Sequence, residues 1–135
     1  MVSIKQASGK RKTAIARAVL RTEGKGSIKI NSVPLETYQP TIARERILEL
    51  FKILDEPKLE NVDIKVKVKA GGIMSQTDAI RIALARVITK YLNKKTTVRM
   101  LKEYDNTLLS GDSRRKEPKK FGGKGARARR QKSFR

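Results

Sequence analysis

The chain has 135 residues, with 33 Lys and Arg against 13 Asp and Glu and a formal net charge of +20. It holds no cysteine and no histidine, which excludes a disulfide framework and removes the usual neutral-pH acid–base group and the commonest metal ligands. No apolar run approaches the ~18 residues of a membrane span and the start lacks the apolar stretch of a signal peptide, so a soluble, cytoplasmic protein with one small core is expected.

Residues 1–9, MVSIKQASG, read as a short strand ending at Gly9, before the cationic corner Lys10, Arg11 and Lys12. In residues 14–21, AIARAVLR, propensity favours a helix capped by Thr13. The glycines at 24 and 26, followed by the alternating Ser27-Ile28-Lys29-Ile30, favour a strand instead, paired in a hairpin. Val33-Pro34-Leu35 forms a short extended piece. Residues 41–54 carry apolar side chains at helical spacing, with Pro40 at the entry and Pro57 beyond the exit. Across residues 36–63 seven acids outnumber four bases; this stretch is expected to face away from any polyanion.

Residues 62–70 give the clearest strand. Val62, Ile64, Val66 and Val68 alternate with Asp63, Lys65, Lys67 and Lys69, which predicts one buried face and one mainly cationic face. Taken alone, that lysine face reads as solvated surface. Gly71-Gly72 then feeds a helix over 75–92, where Ser75 and Asp78 have capping-box spacing. Ala83 and Ala85 would let this helix sit close on a sheet. Its N-terminus presents free N–H groups and a positive dipole to an anion, although no G-K-[ST] nucleotide loop follows the glycines. A short helix with a Thr96 cap covers 96–104, and Leu108, Leu109 and Gly111 tie the chain down.

From Asp112 onward the character changes. The segment 112–135 has eleven basic residues against Asp112 and Glu117, and no Val, Ile, Leu or Met. Such an arm cannot offset its ordering entropy by collapse and is expected to be disordered when free. Extended, it would reach roughly 80 Å. Its arginines suit phosphate and base stacking, its glycines permit close approach, and Phe121 and Phe134 offer faces on which a base can stack. The organisation expected is a globular RNA-binding body, 1–111, and a basic arm, 112–135. An enzyme is disfavoured by the missing histidine, nucleotide loop and carboxylate pair. Composition alone also fits a free-standing RNA chaperone or a chromatin-like nucleic-acid-binding protein.

Three blocks resemble a known family, the universal ninth protein of the small ribosomal subunit. They are Gly9-Lys10-Arg11-Lys12-Thr13-Ala14-Ile15-Ala16-Arg17-Ala18; Gly71-Gly72 through Ser75-Gln76 with Ala79, Ala83, Ala85 and Arg86; and the arm, with Asp112-Ser113-Arg114-Arg115, Glu117, Lys119-Lys120, Gly125-Ala126-Arg127 and Gln131. Ala70 replaces the first of the family's usual three glycines, and the ending Ser133-Phe134-Arg135 is more similar to the archaeal and eukaryotic branch.

The resemblance implies a single small α/β (α+β) domain, a four-stranded sheet with packed helices like the second domain of the fifth small-subunit protein. It implies a non-enzymatic constituent of the small-subunit head, bound to rRNA and neighbouring head proteins, without cofactor, membrane or homo-oligomer. From the body, Lys10, Arg11, Lys12, Arg17, Gly71, Gly72 and Gln76 would contact rRNA. From the arm, Arg114, Arg115, Lys116, Lys119, Lys120, Lys124, Arg127, Arg129, Arg130 and Lys132 would neutralise its phosphates. Phe134 and Arg135, at the tip, would meet peptidyl-site tRNA.

Overall fold

A computed structural model describes residues 3–134. Its sheet is built from β1 (Ile4–Arg11), β2 (Ala14–Thr22), β3 (Ile28–Ile30), β4 (Val33–Pro34) and β5 (Val62–Lys69), in the order β1-β2-β5-β3-β4. The helices are α1 (Thr41–Leu54), α2 (Ile73–Leu92), α3 (Lys95–Tyr104) and the single turn α4 (Thr107–Ser110). The architecture is therefore the small α+β domain implied by the resemblance, with five strands rather than four. The additional one is the two-residue β4, at the position of the short extended piece.

Alternation decides which face is covered. Ala14, Ala16, Ala18 and Leu20 of β2 and Val62, Ile64, Val66 and Val68 of β5 are buried beneath the helices. Their neighbours along each strand project from the opposite face. α2 supplies most of the other half of the core, with Ala79, Ile80, Ala83, Leu84, Val87 and Ile88 buried.

Gly9 does not end its strand. It pairs with Ala16 inside β1, and a Cβ there would lie 2.3 Å from the Ala79 carbonyl oxygen and 2.6 Å from the Ala83 amide nitrogen. The strand carries glycine because α2 lies almost on its backbone, the close approach that the alanines of α2 allow.

The hairpin expectation is corrected. β2 is a hairpin strand, but its hairpin partner is β1, through the turn at Lys12-Thr13. β3 lies beyond β5, paired with it in parallel, while β2 runs antiparallel to the other edge of β5. The cause is the 23–27 loop. The Gly24 N–H donates to the Asn61 carbonyl (2.8 Å), and Asp63 accepts from the Lys25 and Ser27 amides (3.0 and 3.1 Å) and the Ser27 hydroxyl (2.9 Å). The loop thus wraps the start of β5 and delivers β3 to its far side.

The capping expectations also fail. α2 starts at Ile73 with Gly72 as N-cap, two residues earlier than expected, which leaves Asp78 too far inside the helix to cap it. Asp78 instead faces Arg46 of α1 at 3.3 Å and Arg11 at 3.9 Å. α3 starts at Lys95, before Thr96, with no side-chain cap.

Candidate nucleic-acid interface

The uncovered face of the sheet carries Lys10 of β1, Arg17 and Arg21 of β2, Lys29 of β3 and Lys65, Lys67 and Lys69 of β5, all exposed. Register sets them side by side: Lys67 opposite Arg17, Lys65 opposite Lys29. Like charges directly across a sheet repel, so this surface is held against its own electrostatics by the core beneath it. None of Lys10, Lys12, Arg17, Lys65, Lys67 and Lys69 has an ion-pair partner among the described residues. A shallow cavity of about 620 Å³ opens among Gln6, Ser8, Arg17, Arg21, Lys65 and Lys67. Asp63, the acid of β5 on this face, is engaged by the 23–27 loop. Hydrogen bonds from the Ser27 hydroxyl, then the Ser27 and Lys25 amides, hold its carboxyl below the ordinary carboxylate range.

One end of this face meets the glycine turn. A Cβ on Gly71 would come 2.8 Å from that of Ala14, so the β5–α2 turn lies against the start of β2, beside the Lys12 hairpin turn. Gly71 has φ +74 and Gly72 opens α2 with no side-chain cap bond. The Gln76 side-chain Nε2 donates to the Ala70 carbonyl at 3.1 Å and braces the turn. Lys10, Lys12, Gly71 and Gly72 are thus brought to one corner, with Arg17 farther along the same face, opposite Lys67.

Arg11 is placed differently. Its register partner is Ala14, so it points toward the helical side, with its side chain only 14% exposed. It pairs with Asp112 at 3.2 Å and donates to the Arg114 carbonyl at 2.8 Å. Arg114 grips the same carboxylate, with Nη2 2.7 Å from Oδ2. Hydrogen bonds from Arg114, with the Arg11 charge beside them, push the Asp112 carboxyl far below its usual value. Arg11 and Asp112 therefore join the body to the root of the arm, a role that needed the folded register to be seen.

Arg86 belongs to the same junction. Its Nε, Nη1 and Nη2 donate to the carbonyls of Leu109 (2.9 Å), Ser8 (2.9 Å) and Ser110 (3.1 Å), clamping α4 to β1. Arg81 is buried and meets Glu49 at 3.4 Å, and Tyr104 donates to the other Glu49 oxygen. The Arg81 Nε has no hydrogen-bond partner among the described residues.

Beyond Asp112 the described residues of the arm run without helix or ladder. Arg115, Lys116, Lys119, Lys120, Lys124, Arg129, Arg130 and Lys132 are exposed. Arg114 and Arg127 are exposed too, but each is held by an acid of the arm, Asp112 and Glu117 respectively. Phe134 is exposed; Arg135 lies outside the described residues. The acids of the 36–63 stretch belong mostly to the helical side, where Glu49 pairs with Arg81 and Glu56 with Lys94. No helix among the described residues is long and apolar enough to cross a membrane.

These features define a class: a small α+β domain with helices on one face of its sheet, a row of exposed cations on the other, and a basic arm latched to its edge. The chain belongs to the ribosomal protein S9/S16 family, whose sequence pattern matches residues 9–135. It is 48% identical over 128 residues to the small ribosomal subunit protein uS9 of Thermoplasma acidophilum, covering 95% of this chain and 98% of that one. It is 48% identical over 134 residues to the uS9 of Methanothrix thermoacetophila, covering 99% and 100%. The uS9 of the eukaryote Neurospora crassa is 48% identical over 139 residues, covering 96% of each. Archaeal and eukaryotic relatives are thus similar along nearly the whole length.

Proposed function

We propose that this chain is a structural constituent of the small ribosomal subunit in the cytoplasm, seated on rRNA in the head, with no chemistry of its own. The observation that carries the reading is the segregation of charge. Among the described residues, the cations of the open sheet face and most of those of the arm lack ion-pair partners, while acids such as Asp63, Asp78 and Asp112 are engaged within the fold. Lys10, Lys12, Arg17, Gly71 and Gly72 contact rRNA from the body, joined by Lys65, Lys67 and Lys69 of the open face. Arg11 and Gln76 serve the same surface by bracing its edges. The arm cations neutralise phosphates where rRNA strands approach each other, and Phe134 and Arg135 reach peptidyl-site tRNA during translation.

The test is binding to small-subunit rRNA across a salt series. With six to ten phosphate contacts, affinity falls by about 10³–10⁵ between 50 and 200 mM salt. A flat response refutes the reading. In reconstituted subunits, a chain ending at Ser133 assembles normally but weakens peptidyl-site tRNA binding; unchanged tRNA affinity refutes the role of the tip.

A further inference from the structure

Arg127 and Glu117 form a two-pronged pair, with Nη2 2.8 Å from Oε1 and Nε 3.1 Å from Oε2. This closes a loop in the middle of the arm. Gly123 within it forms an antiparallel bridge with Arg129, just past its closing Arg127, and a Cβ on Gly123 would lie 2.3 Å from the Ala128 carbonyl oxygen. A segment without aliphatic core residues is therefore folded back on itself by one ion pair and one backbone contact.

Phe121 stands at the crown of this loop, fully exposed, and the large exposed ring of Phe134 shares with it the rim of a cavity of about 860 Å³. Lys119, Lys120 and Lys124 share that rim. An apolar protein surface would have to desolvate these ammonium groups without neutralising them, which is costly. A nucleobase flanked by its own phosphates meets both demands, its face on the ring and its charges on the lysines. Bases within a duplex are already stacked and out of reach, so an unpaired strand is required.

We propose that residues 117–129 form a binding site for one unstacked nucleobase of single-stranded or looped RNA, with Phe121 as the stacking platform and Lys119, Lys120 and Lys124 taking the adjacent phosphates. The site rests on the RNA-binding reading above but goes beyond it, because it assigns base contact to mid-arm rather than to the tip. Phe121 lies outside the core, so its replacement does not threaten the fold.

The experiment uses the full chain and its Phe121→Leu and Phe121→Tyr variants. A short single-stranded RNA containing 2-aminopurine is compared with the duplex of the same sequence, across salt. Wild type and Phe121→Tyr quench the 2-aminopurine and bind the single strand alike. Phe121→Leu binds it about tenfold more weakly, as expected for loss of one stacked base. All three proteins share one salt slope, because no charge changes, and the duplex does not distinguish them. Equal single-strand affinity of Phe121→Leu and wild type overturns the site, as does an equal loss on the duplex. A wild-type chain with no salt-dependent RNA binding overturns the broader reading instead.

Discussion

Arg86 shows how far one side chain's role depends on where its fork points. In the sequence it is one more cation in a basic protein, at a position that the resemblance marks as basic. In the fold it donates to three carbonyls on two elements, Ser8 of β1 and Leu109 and Ser110 of α4. A lysine has the charge but not the planar fork, and one ammonium cannot reach all three acceptors. Arg86→Lys therefore lowers the unfolding free energy by about 2 kcal/mol, the scale of one to two charge-assisted hydrogen bonds at a half-buried site. Denaturant unfolding measures it. The rRNA affinity of the folded variant stays near wild type; a large loss of affinity with unchanged stability would show that Arg86 is a contact residue after all.

At the scale of elements, what was legible had a local cause. The alternation in 62–70 identified β5 and its cationic face because one-sided burial imposes a period of two. α1 and α2 were legible from apolar spacing, and the small residues of α2 correctly announced a close approach to the sheet. The partner of β2 was not legible, because a hairpin signal says that a strand turns back, not which neighbour it meets. That choice rests on Asp63, 36 residues from Ser27, gathering three donors of the 23–27 loop. The spacing of Ser75 and Asp78 misled for the same reason: two residues at the right interval cannot reveal that Arg46 and Arg11 already claim the carboxylate.

The Asp63 knot has a pH signature. Its carboxyl is held below the ordinary value by hydrogen bonds, so the folded state favours the ionised form. The stabilisation is fully present above the unfolded value of about 3.9 and is lost as pH falls through the lower folded value. Asp63→Asn removes this dependence. The stability difference between wild type and Asp63→Asn should be constant from pH 7 to about 5 and shrink on further acidification. Taking the difference cancels the contributions of Asp112 and Glu117, whose carboxyls are also lowered. Denaturant midpoints from pH 2 to 7 supply the curves, and a difference that does not change with pH would mean the knot holds equally well when neutral.

Seen whole, the molecule must keep a cationic sheet and a cationic arm attached without letting them repel into arbitrary directions. It does so with a chain of alternating charges at their junction: Arg114 and Arg11 on Asp112, then Arg11 and Arg46 on Asp78. The latch sets where the arm leaves the edge of the sheet and so the direction in which its cations extend from the open face. Asp112→Asn cuts this latch at its centre while Asp78 remains beside Arg11 and the apolar core is untouched, so the unfolding midpoint should stay close to that of the wild type. What changes is the direction of exit. Because the chain has no cysteine, dyes can be placed at Lys52→Cys on α1 and Ser113→Cys at the arm root, both exposed positions. In the RNA-free protein, Asp112→Asn should broaden the distance distribution between them. Glu117→Gln adds the same unit of positive charge but leaves the latch intact, and should leave that distribution unaltered. If Asp112→Asn leaves it unaltered as well, the arm root is fixed by Arg86 and α4 alone. If Glu117→Gln broadens it equally, net repulsion rather than the latch governs where the arm points.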